Sequence, residues 1–287
     1  MAMDKLVINM TPTGMVPTKA MTEHVPIAVS EIVDQVHAAY EVGITMLHLH
    51  ARDEWGEPTY KAEIYGKLIE GIRRHTPDLV ICVSLSGRNF KEFEKRAEPL
   101  TLTGDLKPDM GSLTLSSLNF ARQASLNDPE MVVRLTQEMK DRGILPELEA
   151  FDLGMVNYIH YLIKKNLLIA PHYCNLFVGN VATAQLDLAH LGIMVRDLPN
   201  NCLWSVGGIG DTQLAANTIS IAMGGGVRVG LEDNIYWDQK RTSLGTNVAF
   251  VKRIHDLAAT FDRPVMSPSE LRSRLGLKSG NGEYGRA

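Results

Sequence analysis

The chain has 287 residues, 45% of them hydrophobic, with 29 basic and 33 acidic side chains and a formal charge of -4. That length can bury the core of one large α/β domain or two small ones, and the charge balance leaves no basic footprint for nucleic acid. No apolar run reaches the roughly 20 residues of a membrane span, and Asp4 and Lys5 ahead of a short apolar strand do not make a signal peptide.

Leu6 to Met10 is rich in β-formers and runs into a turn-forming segment, Thr11-Pro12-Thr13-Gly14. Between Pro26 and Val42 apolar residues recur at helical spacing, and Gly43 closes the helix. Met46-Leu47-His48-Leu49-His50 reads as a strand. Side chains alternate along a strand, so His48 and His50 share one face and Leu47 and Leu49 the other. An amphipathic helix is predicted over 61–75. The alternation continues with strands at 79–86, 110–117, 145–152, within 167–177, at 202–206 and at 227–231. Helices follow them at 90–100, 128–143, 155–166, 182–195, 211–223 and 243–261. Ser267-Pro268-Ser269-Glu270 is a capping box with Pro at the first helical position, so one more helix is expected. The glycine-rich end, 279–287, is expected to be mobile or held by a neighbouring subunit.

Eight strand–helix units with no linker or composition shift argue for a parallel sheet. Eight units in about 250 residues favour a closed (β/α)8 barrel. The prediction is a single α/β domain over 1–287 with an extra C-terminal helix. Cys82, Cys174 and Cys202 are far apart with no CxxC, which suits free thiols in a reducing compartment and predicts a cytoplasmic protein.

In such barrels chemistry gathers where the strands end, and the predicted ends are polar. Strand two offers His48 and His50, then Arg52 and Asp53; strand three offers Ser84 and Ser86 on one face. Strand four carries Ser112, Thr114 and Ser116, then Asn119; strand five carries Glu147 and Glu149; strand six has His172 and Asn175; strand seven has Trp204 and Ser205; strand eight ends in Glu232 and Asp233. Two imidazoles and one carboxylate make a three-ligand site for Zn²⁺ with an open position. Acids inside a barrel need partners, and a divalent metal and an arginine would supply them. Polar lining of a wet mouth explains any one Ser or Thr, and an ion pair with Arg228 explains either strand-five acid. Gly207-Gly208-Ile209-Gly210 and Gly224 to Gly226 add a phosphate-contact reading. His24, His37, His75, His160, His190 and His255 read as structural.

Several of these stretches, in order, resemble the β-keto acid cleavage enzyme family, which includes 3-keto-5-aminohexanoate cleavage enzyme. They are Thr11-Pro12-Thr13-Gly14, His48-Leu49-His50-Ala51-Arg52, Asp109-Met110-Gly111-Ser112-Leu113, Pro146 to Asp152, Trp204-Ser205-Val206-Gly207 and, most specific, Val227 to Asn234. The resemblance implies a TIM barrel and the conversion of a β-keto acid plus acetyl-CoA into acetoacetate and an acyl-CoA. It implies that His48, His50 and Glu232 hold Zn²⁺, other divalent metals also suiting these ligands, and that Asp233, supported by Arg228, is the base. It further implies that Glu147 or Glu149 stands near the reacting centre. Ser84, Ser86, Thr114 and Ser116 then bind the substrate, with Thr13, Asn119, Met15 and Val16 as further lining. Family likeness also implies a homotetramer or homodimer, with Trp237 and the tail as candidate contacts. One departure is informative. The aminohexanoate enzyme has an acid shortly after the first strand's Thr-Gly to meet its substrate's ammonium, whereas this chain has Gly14-Met15-Val16-Pro17. An uncharged, aliphatic β-keto acid is therefore expected, with a quaternary ammonium acid such as dehydrocarnitine ranked below it. The competing readings are an amidohydrolase-like metal hydrolase, recruiting His172 as a further ligand, and a non-catalytic metal-binding barrel.

Overall fold

A computed structural model describes residues 4–286. Eight parallel strands close on themselves: β1 (Ile8–Met10), β2 (Met46–Leu49), β3 (Val80–Val83), β4 (Met110–Thr114), β5 (Leu145–Ala150), β6 (His172–Val178), β7 (Cys202–Gly208) and β8 (Gly226–Val229). Each pairs with its neighbours in sequence, and β8 returns to β1 through Ile8↔Val227 and Met10↔Val229. The helices between them are α1 (Val29–Val42), α2 (Ala62–Arg73), α3 (Phe93–Ala97), α4 (Pro129–Asp141), α5 (Leu153–Lys164), α6 (Leu188–Arg196) and α7 (Gln213–Met223); α8 (Asn247–Thr260) follows β8. This is the (β/α)8 barrel that the alternation predicts.

The period of two separates the two faces of the strands. Ile8, Met10, Leu47, Leu49, Ile81 and Val83 belong to the layer packed against the helices, with Ile32, Val36, Leu68 and Ile72. Val7, Met46, Val80, Cys82, Met110 and Tyr173 form a separate interior cluster. That interior is floored by the predicted extra helix, α9 (Pro268–Leu275), whose Leu271 and Leu275 are fully buried in it. The Ser267–Glu270 capping box is present as read. Truncating one such leucine to alanine costs about 2–5 kcal/mol.

Several boundaries move for local reasons. The helix predicted at 90–100 keeps only five α-helical residues; Glu98–Thr101 tightens into a 3-10 turn at Pro99, which has no amide hydrogen to donate. The helix predicted from 243 starts at Asn247 because the Thr246 hydroxyl caps it, accepting from the Ala249 amide. That predicted from 182 starts at Leu188, where Asp187 caps in the same way. β6 begins at His172, so His172 lies at the N-terminal end of the barrel, beside Arg286 and away from the mouth. Gly224 to Gly226 enter β8 at that same end, where Arg263 donates to the carbonyls of Gly224 and Gly225. Neither stretch can serve a ligand at the mouth.

The described part of the 279–287 tail, expected to be mobile or in a subunit contact, is held by its own barrel. Lys278 N–H donates to the Gly285 carbonyl (2.8 Å), and Gly285 N–H donates to Asp109 Oδ1 (3.0 Å). Tyr284 is buried under the Arg73 guanidinium, 3.2 Å from its ring centroid. Residue 287 lies outside the described residues. No helix among the described residues is long and apolar enough to cross a membrane.

Candidate active site

The strand-two alternation brings His48 and His50 inward at the C-terminal mouth. Their Nε2 atoms stand 3.3 Å apart, and His50 Nε2 is 3.2 Å from Glu232 Oε1. The loop after β1 admits Glu232 because residue 14 is glycine. Gly14 has a φ of +66°, and a Cβ there would lie 2.5 Å from Glu232 Cγ. The second carboxylate oxygen of Glu232 is buried with no hydrogen-bond partner among the described residues. Two imidazole nitrogens and a Glu232 carboxylate oxygen within 4.8 Å of one another, with the other oxygen of that carboxylate left unpartnered, form a donor set that fits a divalent cation.

Arg228, from β8, is fully buried and holds both acids that follow the strand. Its Nη2 donates to Glu232 Oε1 (2.6 Å) and its Nε to Asp233 Oδ2 (3.0 Å). Burial pushes the Asp233 carboxyl above the usual aspartate range despite Arg228, with the neighbouring charge of Glu232 adding to the rise. Burial acts on Glu232 too, but Arg228 and His50 outweigh it and hold that carboxyl well below the ordinary range. Two adjacent carboxylates are thus driven apart, one firmly ionised and one nearer to exchanging a proton, a pattern typical of acid–base sites.

The two strand-five acids share a face, as the period of two demands, but not a depth. Two residues of strand rise separate them by roughly 7 Å. Glu147, the deeper, accepts from Asn9 Nδ2 (2.6 Å) and Asn175 Nδ2 (2.8 Å) and meets His48 Nδ1 at 2.5 Å. Burial alone would raise Glu147, but His48 and Arg228 outweigh it and bring its pKa down to about 2. Glu149, one step nearer the mouth, lines the cavity and accepts from Thr114 Oγ1 (2.6 Å); burial pushes its pKa up.

Above the cluster lies a cavity of about 740 Å³, within the range of small-molecule sites. Met15, Val16, Ser84, Ser86 and Thr114 stand in its wall, as does Ser112. Three predicted lining residues do not. Thr13 is buried behind the wall, its hydroxyl without a partner among the described residues. Ser116 and Asn119 are exposed, because β4 ends at Thr114 and the chain turns into a hairpin, Leu118–Asn119 paired with Ala124–Ser125. That hairpin supplies Phe120, Arg122 and Gln123 to the wall instead, and the loop after β3 supplies Arg88. None of these four is marked by strand alternation; the only sequence signal is that Arg88 follows the Ser84–Ser86 strand end by two residues. Asn175 and Ser205 serve the interior: Asn175 supports Glu147, and the Ser205 hydroxyl accepts from Tyr173 Oη (2.8 Å). Trp204 packs against Gly225, away from the cavity wall.

A closed parallel barrel with a histidine–carboxylate cluster at its C-terminal mouth defines a (β/α)8 protein of enzymatic design. The sequence pattern of the beta-keto acid cleavage enzyme family matches residues 5–277, and the chain belongs to that family. It is 35% identical over 276 residues to the 3-oxoadipate:acetyl-CoA acetyltransferase of Cupriavidus necator, covering 95% of each chain. It is 32% identical to the 3-keto-5-aminohexanoate cleavage enzyme of Acetoanaerobium sticklandii, covering 96% of this chain and 99% of that one. It is 26% identical to the 3-dehydrocarnitine:acetyl-CoA trimethylamine transferase of Rhizobium meliloti, covering 94% and 96%. Among solved structures, the apo structure of ObcA matches with a TM-score of 0.79 at 17% identity, over 88% of this chain and 65% of that one, a likeness of fold alone. Family membership sets aside the hydrolase and scaffold readings.

Proposed function

We propose that the chain condenses a β-keto acid with acetyl-CoA and releases acetoacetate and the CoA thioester of the remaining acyl group. Acetyl-CoA appears in the names of the 3-oxoadipate and dehydrocarnitine relatives. The observation that carries the reading is the position of Asp233: next in the chain to Glu232 of the His48–His50–Glu232 cluster, held by Arg228, and open to the cavity.

His48, His50 and Glu232 would hold a divalent metal, Zn²⁺ suiting the ligands, and Glu147 would orient His48 through its other ring nitrogen. A metal there supplies Lewis-acid stabilisation of negative charge on the substrate's 3-keto oxygen. Asp233 removes a proton from C2, between carboxylate and ketone, and Arg228 keeps that carboxylate aimed. The C2 carbanion attacks the acetyl carbonyl, CoA passes to the original C3 carbonyl, and the C2–C3 bond breaks. The electron pair of that bond returns to C2, which takes back a proton and departs as acetoacetate. Ser84 and Ser86 would donate hydrogen bonds to the substrate carboxylate, while Thr114 donates to Glu149 and orients it to relay a proton. The hydrophobic Met15 and Val16 disfavour a substrate ammonium.

The three cysteines are unpaired, which suits the reducing cytoplasm. A homodimer or homotetramer fits the half-exposed Trp237, stacked under Arg253 on the outer surface. The test is to incubate the purified protein with acetyl-CoA and a panel of β-keto acids, with and without chelator, and assay acetoacetate. Chelator-sensitive acetoacetate is expected; none from metal-replete enzyme across the panel would overturn the proposal.

A further inference from the structure

Three arginines face the cavity, and they are not equivalent. Arg228 gives Nε and Nη2 to Asp233 and Glu232, leaving only Nη1 without a partner among the described residues. Arg122 is exposed on the hairpin. Arg88 is half-buried and fixed from both sides: its N–H donates to Ser86 Oγ (3.3 Å), and its carbonyl accepts from Gln123 Nε2 (3.0 Å). Its guanidinium sits 3.7 Å over the centre of the Phe120 ring. Phe120 is itself braced edge-on by Phe151, which stacks on Phe177 at 4.4 Å.

Among the described residues the Arg88 guanidinium donates no hydrogen bond and forms no ion pair. Stacking occupies its face and leaves the N–H groups of its edge free, the arrangement that reads a carboxylate with two parallel hydrogen bonds. Burial pulls its pKa below the usual arginine range, opposed by the charges of Glu232, Asp233 and Glu149, so it stands in the field of the reacting centre. A partly desolvated, oriented cation with no partner is unfavourable unless a ligand completes it. An alkyl tail would leave it incomplete.

We propose that Arg88, seated on Phe120, is a specificity residue that binds a second, distal carboxylate of the substrate, so that the preferred β-keto acids are dicarboxylic. The inference rests on the proposed function and sharpens it. The absent acid near Met15 argues against a cationic tail; it does not require a neutral one, and Arg88 supplies the preference.

The anion could otherwise be the carboxylate every β-keto acid carries, or a CoA phosphate, and the test separates these. The kcat/KM values for 3-oxoadipate and 3-oxohexanoate, acids of equal chain length, are compared in the wild type, Arg88→Met and Arg88→Lys. The wild type should favour 3-oxoadipate. In Arg88→Met the ratio of the two values should fall by roughly 10–150-fold, the range of a charge-assisted hydrogen bond, and Arg88→Lys should restore part of it. An equal loss on both acids would assign Arg88 to the shared carboxylate and overturn the proposal. So would a raised KM for acetyl-CoA with no change for S-acetyl-N-acetylcysteamine, which lacks the phosphates. Calorimetric binding of 3-oxoadipate in the absence of acetyl-CoA keeps the two claims apart. Tight binding lost in Arg88→Met, without acetoacetate formation, would sink the reaction and leave the subsite standing. Binding indifferent to Arg88 would sink the subsite whatever the turnover.

Discussion

The two poles of this barrel bury similar ionic groups and complete them differently. At the N-terminal pole Asp109 accepts from Arg272 Nη1 (2.9 Å) and Nη2 (2.8 Å), from Arg73 Nη2 (3.3 Å) and from the amides of Ile81 (3.1 Å) and Gly285 (3.0 Å). Both its oxygens are saturated; of the side chains around it, Arg73 leaves one nitrogen, Nε, unpartnered. At the mouth, Glu232 Oε2 and Arg228 Nη1 are buried without partners among the described residues, and Arg88 pairs with none of them. A saturated ionic cluster holds structure together. An unsaturated one is unfavourable until something binds, and that asymmetry marks the mouth as the candidate site independently of any family.

Four substitutions would break or sharpen this contrast. The largest effect is expected from Glu232→Gln, which removes the charge of a proposed metal ligand at the unsaturated pole. Acetoacetate formation should fall by at least roughly 10²–10³-fold, and bound metal should drop. Asp109→Ala reverses the pattern. Leaving Arg73 and Arg272 buried without their partner should cost about 3–5 kcal/mol in urea unfolding, with kcat per folded molecule nearly retained. If Asp109→Ala abolished turnover in fully folded protein, the poles would not be separable in this way.

Glu147→Gln should weaken metal affinity by roughly 10–100-fold, the usual consequence of losing a carboxylate behind a metal-bound histidine, read by competition with a chelator. The smallest effect is electrostatic and lies at the structural pole. Burial pulls the pKa of His172 down to about 4, and Arg286 adds to it; unfolded histidine titrates near about 6.5. The folded state therefore resists a proton that the unfolded state accepts. The contribution of neutral His172 is complete above about pH 6.5 and is lost as pH falls towards about 4. His172→Gln should flatten the decline of urea midpoint across that window, and an unchanged slope would count against it.

The barrel was legible because it follows from periodicity. His48 and His50 separate from Leu47 and Leu49 by alternation alone, and eight strand–helix units leave few topologies. The alternation also put Glu147 and Glu149 on one face, but periodicity carries no depth, and depth is what divides the acid behind His48 from the acid in the cavity. Strand ends were harder. The apolar run at 167–177 has no clear start, so the alternation alone puts His172 among the strand ends, whereas the strand begins at His172. Ser116 and Asn119 continue the alternation of strand four on paper, but pairing stops at Thr114 and a hairpin takes over. Arg88 and Phe120 come from two loops distant in sequence, and only tertiary packing brings a cation onto that ring.

The hairpin has a wider consequence. A segment of eight residues, 118–125, supplies the ring on which Arg88 rests and the glutamine that holds the Arg88 backbone, yet it pairs only with itself and adds no strand to the barrel. Substrate choice is in this sense modular. Exchanging the hairpin and the short loop after β3 would change which acyl tail is admitted without disturbing barrel closure or the histidine–carboxylate cluster. A lineage built on this scaffold can diversify its diet through a small graft, while the residues that fold the chain and those proposed to carry out the chemistry stay fixed.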